Sequence, residues 1–222
     1  MVYRNKIKIM NFFSLVTVII LISCSQVISQ RIVDKNKGDH NQTKKGFMDG
    51  NLVESVYYNF GEIADWENEP NRSGVWPKGT NHTYIDGVAV IVQAETKDPS
   101  GRTIHPLESN YYEFTRYNPS TGVTYGWWPL PGYANPFSSA PARSDDPATW
   151  PDHWPDRPSD WDGAWNGFFG KGVQNADLET YFVFDDNEDR EYILNNNFHP
   201  DADDPSRGGL GMQVRARGFQ WS

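Results

Sequence analysis

A chain of 222 residues is long enough to bury one sizeable core. Its formal net charge of −9 argues against nucleic-acid phosphate and anionic membrane surfaces as partners. A single cysteine excludes a disulfide framework within the chain, so apolar and aromatic packing must hold the fold.

Residues 1–29 read as an export signal: Arg4, Lys6 and Lys8 precede an apolar run, Phe12 to Ser23, and small residues lead to Ser29. The run is short of the ~20 residues of a membrane span. Cleavage before Gln30 would release a domain of 193 residues and shift its net charge to −12, since the segment carries three positive and no negative charges. Two alternatives stand beside this reading. Leu21-Ile22-Ser23-Cys24 resembles a bacterial lipobox, which would make Cys24 a lipidation site, and an uncleaved segment would act as an anchor. Otherwise no membrane insertion follows cleavage, and the product is secreted or lies on the outer cell surface. Residues 30–50 are polar and lysine-rich, a flexible leader.

Residues 51–222 are expected to form the domain. Residues 51–61 give a first strand, and 84–95 a second, whose run Val88-Ala89-Val90-Ile91-Val92 is apolar enough to predict cover on both faces. Asp98 to Gly101 is a turn with a short strand returning over 102–106, and 111–117 with 123–128 reads as a hairpin.

Residues 123–170 hold six of the nine tryptophans and eight of the fifteen prolines. That proline density forbids a long helix or a central strand, yet an exposed linker has no use for indoles that bury on the order of 200 Å² each. The stretch is therefore an ordered loop lying over a sheet. Its rings are packing anchors on one reading; on the other Trp127, Trp128, Trp150 and Trp154 form an aromatic platform for a glycan or a surface protein. Trp161 and Trp165 are expected to be buried, and Trp150 and Trp154 partly exposed.

Residues 179–185 and the alternating 210–221 are two further strands. No segment keeps a 3.6-residue apolar period. The chain reads as all-β, a β-sandwich with long Trp/Pro/Asp-rich loops, and an incomplete N-terminal piece of a longer protein.

Asp185, Asn187 and Asp189 match the first three alternating ligands of a calcium loop, but Arg190 stands where such a loop needs glycine and Asn196 where it needs glutamate. Calcium is thus a candidate stabiliser, with Asp201, Asp203 and Asp204 nearby, against a plain hairpin turn; no other cofactor is expected. The five histidines lack zinc spacing, and no nucleophile elbow, P-loop or dinucleotide fingerprint occurs. No residue is singled out as catalytic.

Trp76-Pro77-Lys78-Gly79, Trp154-Pro155-Asp156, Trp165-Asn166-Gly167, Glu179 to Asp186 and Arg207-Gly208-Gly209-Leu210-Gly211 together resemble the N-terminal region of large uncharacterised exported bacterial surface proteins. Those continue into fibronectin type III or immunoglobulin-like β domains and a C-terminal sorting segment. The resemblance implies export and no enzyme activity, and it transfers no site residue. Two functional readings follow: a non-catalytic exported β module with a structural or interaction role, and a carbohydrate-binding or carbohydrate-active secreted protein.

Overall fold

The computed structural model describes residues 36–111, 117–118, 123–124, 126–189, 197–201 and 203–222. The expected export segment, Cys24 included, lies outside them, as do parts of the expected 111–128 hairpin. Among the described residues every regular element is a strand or a 3-10 turn, so the fold is all-β.

The strands are antiparallel throughout. β1 (Lys45–Met48) pairs with β2 (Ser55–Tyr58). β3 (Ile91–Gln93) pairs with β6 (Leu107–Ser109), enclosing the small ladder of β4 (Thr96–Lys97) and β5 (Thr103–Ile104). β7 (Tyr117–Asn118) pairs with β8 (Val123–Thr124), and β10 (Asn166–Gly167) with β11 (Gly170–Lys171). The three-stranded sheet runs in the order β13 (Gln213–Gln220), β12 (Leu178–Asp185), β9 (Trp128–Pro129).

β12 is the axis of the molecule. All eight of its residues are buried. β13 covers one edge along its whole length, Leu178 opposite Gln220 through Asp185 opposite Gln213. The other edge is covered by β9 near Asp185 and by Ala142 to Ser144 near Glu179, through Ser144 N–H to the Glu179 carbonyl at 2.9 Å. Side chains alternate across a strand, so β12 feeds two separate cores. Tyr181 and Val183 join Leu130, Tyr133, Ala142, Trp154 and Trp165. Phe182 and Phe184 join Tyr57 and Trp127, with Met48, Val90 and Val92 packed on them.

The first of these cores is the work of the tryptophan/proline stretch. The stretch follows 3-10 turns at Pro147–Thr149 and Ser159–Trp161, each starting at or after a proline that fixes φ and gives up no needed donor. It lies over β12 as expected, with Trp165 only 1% exposed, whereas Trp161, expected to be buried, is half-buried at the edge of the core. Trp154 differs from expectation: it is wholly buried, edge-on to Trp165 at 5.8 Å, because Pro155 and Asp156 turn the chain inward and Asp156 accepts from Tyr181 Oη at 2.6 Å.

Two other expectations are corrected. Residues 36–50 belong to the fold rather than to a leader, because β1 supplies the partner β2 requires and Gly38 donates to Asp185. The run 88–92 is not covered on both faces: Val90 and Val92 pack on the core, but Val88 is 51% and Ile91 67% exposed, on a narrow pairing made of the β3–β6 ladder and a single bridge from Val88 to Ile63.

Trp154→Ala or Trp165→Ala should each lower the unfolding free energy by about 3–5 kcal/mol in urea titrations, whereas Trp66→Ala, at a residue 55% exposed, should stay within about 1 kcal/mol. Equal losses at all three positions would contradict the two-core arrangement.

Candidate functional site

The unusual chemistry sits where β12 ends. Asp185 and Asp186 are both 0% exposed, and Asn187 and Asp189 are buried in the turn that follows. Carboxylates are seldom placed so deep without a cation. Here main-chain N–H groups supply most of the compensation. Asp185 Oδ1 accepts from Gly38 N–H at 2.9 Å and Asn187 N–H at 3.1 Å. Asp186 accepts from Leu210 N–H at 2.7 Å and Met212 N–H at 2.9 Å, one on each oxygen. Main-chain carbonyls of the turn are used as well: Asn187 accepts from Gly208 at 3.0 Å and Asp189 from Gly209 at 2.8 Å.

This wrapping dictates glycine. A Cβ on Gly208 would run into the carbonyl oxygens of Asn187 and Asp189; one on Gly38 would meet the Trp128 carbonyl and the Asp185 carboxylate. Gly209 adds a φ of +61°, the left-handed region that glycine enters without penalty. The Arg207-Gly208-Gly209-Leu210-Gly211 motif is thus a backbone clamp on the acidic turn.

The compensation is incomplete. Burial pushes the Asp185 carboxyl up to about 6, against the pull of its two N–H donors. The Arg207 guanidinium approaches Asp185 Oδ2 only to 3.7 Å. Burial also raises Asp186, whose side chain meets that of Glu108, itself 2% exposed on β6. A second group lies beside the turn: donor atoms of Asp39, His40 and Glu188 fall within 4.8 Å of one another, with His40 Nδ1 3.4 Å from Glu188 Oε2. It could hold a metal ion. With Glu188 148 positions after His40, no spacing rule could have found it.

The aromatic platform residues are placed differently. Trp127 and Trp154 are 0% exposed and lie in the two cores, and Trp128 and Trp150 are half-buried. Three indole N–H groups of the stretch are occupied inside the fold: Trp150 donates to the Arg143 carbonyl, Trp154 to the Ala164 carbonyl at 2.9 Å, and Trp165 to Glu179 Oε2 at 2.8 Å. Packing of this kind leaves no free ring face on Trp127 or Trp154. A cavity of about 240 Å³ lies between the inner face of β12–β13 and Met48, Tyr57, Ile63 and Val88; its lining holds no carboxylate or imidazole. Among the described residues no helix is long and apolar enough to cross a membrane.

No family model, curated protein or solved structure matches the chain.

Two outcomes test the turn. Gly208→Ala should destabilise more than Gly172→Ala, although only Gly172 has a positive φ, because the space beyond Gly172 is open; the Gly172 loss should be about 1–2 kcal/mol. The second concerns pH. Asp185 binds its proton more tightly in the folded chain than in the unfolded one, where its value is the ordinary 3.8. Its contribution to stability is therefore full below the unfolded value and falls away as pH rises through the folded one. The stability of the native sequence relative to Asp185→Asn should thus increase as pH is lowered from about 7 to about 5, measured by urea unfolding at each pH.

Proposed function

We propose that this chain is an exported, non-catalytic β module with a structural or interaction role in a cell-surface or extracellular protein, its two cores on β12 being the layers of a sandwich-like domain. The observation that supports this reading most is the use of the tryptophan/proline stretch as building material: its indoles are spent on packing and internal hydrogen bonds. The order of charge, apolar run and small residues over 1–29, and the resemblance carried by the Trp-Pro and Arg-Gly-Gly motifs, support export. Asp185 and Asp186, the buried carboxylates whose proton affinity is raised, are tied to main-chain donors.

One observation favours the carbohydrate reading as a second. Phe168, Phe169 and Trp221 are 61%, 67% and 55% exposed, and they run together through Phe219, with Phe168 to Phe219 at 6.3 Å and Phe219 to Trp221 at 5.7 Å. A platform for sugar rings, if the chain has one, belongs on this strip.

Export is tested by mass spectrometry of the mature N-terminus, which should begin at Gln30 or its pyroglutamate. A diacylglyceryl group on Cys24 would assign a lipoprotein, and an intact Met1 on a cytoplasmic product would end the proposal. On a glycan array the native chain should bind nothing specifically; binding lost in Phe168→Ala and Trp221→Ala would replace the first reading with the second.

A further inference from the structure

We propose that the turn 185–189 is a calcium site, with side-chain oxygens of Asp185, Asn187 and Asp189 as ligands. Their alternate spacing is that of the first ligands of calcium loops, but spacing alone is weak. The buried geometry is the independent observation. Asp185 has no exposed surface, and its Oδ2 has no hydrogen-bond donor; the Arg207 guanidinium stands off at 3.7 Å. Asn187 is 5% exposed, and its Oδ1 has no donor either. Both lie on a turn held by main-chain bonds: Asn187 N–H bonds to Asp185 Oδ1, and the Asn187 carbonyl accepts from Gly208.

Buried acceptors without donors are rare in folded proteins. Two of them on alternate residues of one turn are what remains when an ion does the work of the donors. The chemistry selects the ion. All the donor atoms are hard oxygens, which excludes a preference for zinc or copper. Calcium accepts irregular sets of six to eight oxygens, including carbonyls and water, whereas magnesium demands a near-ideal octahedron. Arg207 fits the scheme as the counter-charge that the ion displaces: it comes near the Asp185 carboxylate but makes no hydrogen bond to it.

The neighbouring Asp39, His40 and Glu188 form a different candidate, more exposed and with an imidazole nitrogen. The experiment must separate the two. The purified protein, freed of metal with EDTA, is titrated with calcium chloride in a calorimeter and melted at each concentration. One ion should bind per chain. The melting temperature should rise by about 5–10 °C at a hundredfold excess over Kd, with a much smaller rise in magnesium. Asn187→Ala should melt near the native temperature in EDTA and lose the calcium shift, and Arg207→Gln should bind calcium more tightly. Asp189→Asn, which keeps the shape of the side chain and one hard oxygen but removes a charge, should weaken calcium binding and shrink the shift, and it serves should Asn187→Ala fail to fold. Asp185→Asn is avoided because Asp185 Oδ1 also holds two N–H groups. The proposal is overturned by a melting temperature that stays constant from EDTA to about 10 mM calcium, well above the range of extracellular modules. It is equally overturned by a shift that survives in Asn187→Ala or disappears in Glu188→Gln.

Discussion

Removing a carboxylate from water is expensive unless donors replace the water, and this fold sets that problem at both ends of its central strand. At the start of β12, Glu179 is wholly buried and takes the Trp165 indole N–H on one oxygen and the N–H groups of Asn175 and Ala176 on the other. At its end, Asp185 and Asp186 take N–H groups from Gly38, Asn187, Leu210 and Met212. Four of these donors, on Gly38, Trp165, Leu210 and Met212, come from other segments of the chain. Satisfying the acids therefore fixes where the N-terminal segment, the tryptophan stretch and the approach to β13 must lie. The acids are organisers: each is a hydrogen-bonding vertex that the chain has to close.

Between those vertices the strand is held by aromatic packing on two faces. Tyr181 meets Trp154 and Tyr133, at ring distances of 6.2 and 5.8 Å, while Phe184 meets Trp127 at 5.6 Å. Aromatic pairs in these arrangements add roughly 0.5–1.5 kcal/mol beyond the area they bury. Arg217 ties the first face to the stretch above it: its guanidinium lies 4.0 Å from the Tyr181 ring and donates to the Asn166 carbonyl, while Asn166 in turn bonds Asp156. In this way Trp154-Pro155-Asp156 becomes a wall of the core: Pro155 supplies the turn, Trp154 the volume and Asp156 the acceptor.

Local pattern made part of this legible. The apolar run at 179–185 and the strict alternation after Leu210 announced β12 and β13, and the density of rings announced a packed stretch. What stayed hidden was non-local. Residues 36–50 look like a polar leader because β1 draws its stability from pairing with β2 rather than from its own composition. The run 88–92 misled in the opposite direction: its apolar residues satisfied the rule for a doubly covered strand, but the chain around it provides a small ladder and a single bridge to Ile63, and one face stays open. Trp154 was hard to read because flanking proline and aspartate suggest a wet turn, whereas here Asp156 is drawn inward by the Tyr181 hydroxyl. At the acidic turn, the spacing of Asp185, Asn187 and Asp189 was visible, but Gly38, 147 positions earlier, gave no sign that it would close on Asp185.

Native-state hydrogen exchange read amide by amide tests the central claim most directly, because it reports the opening energy of individual N–H groups. If the buried acids organise the fold, the amides of Gly38, Leu210 and Met212, though outside the strands, should exchange only through global unfolding, with the protection of the β12 amides. Exchange of these three at the rate of exposed loops, with β12 still protected, would contradict the account.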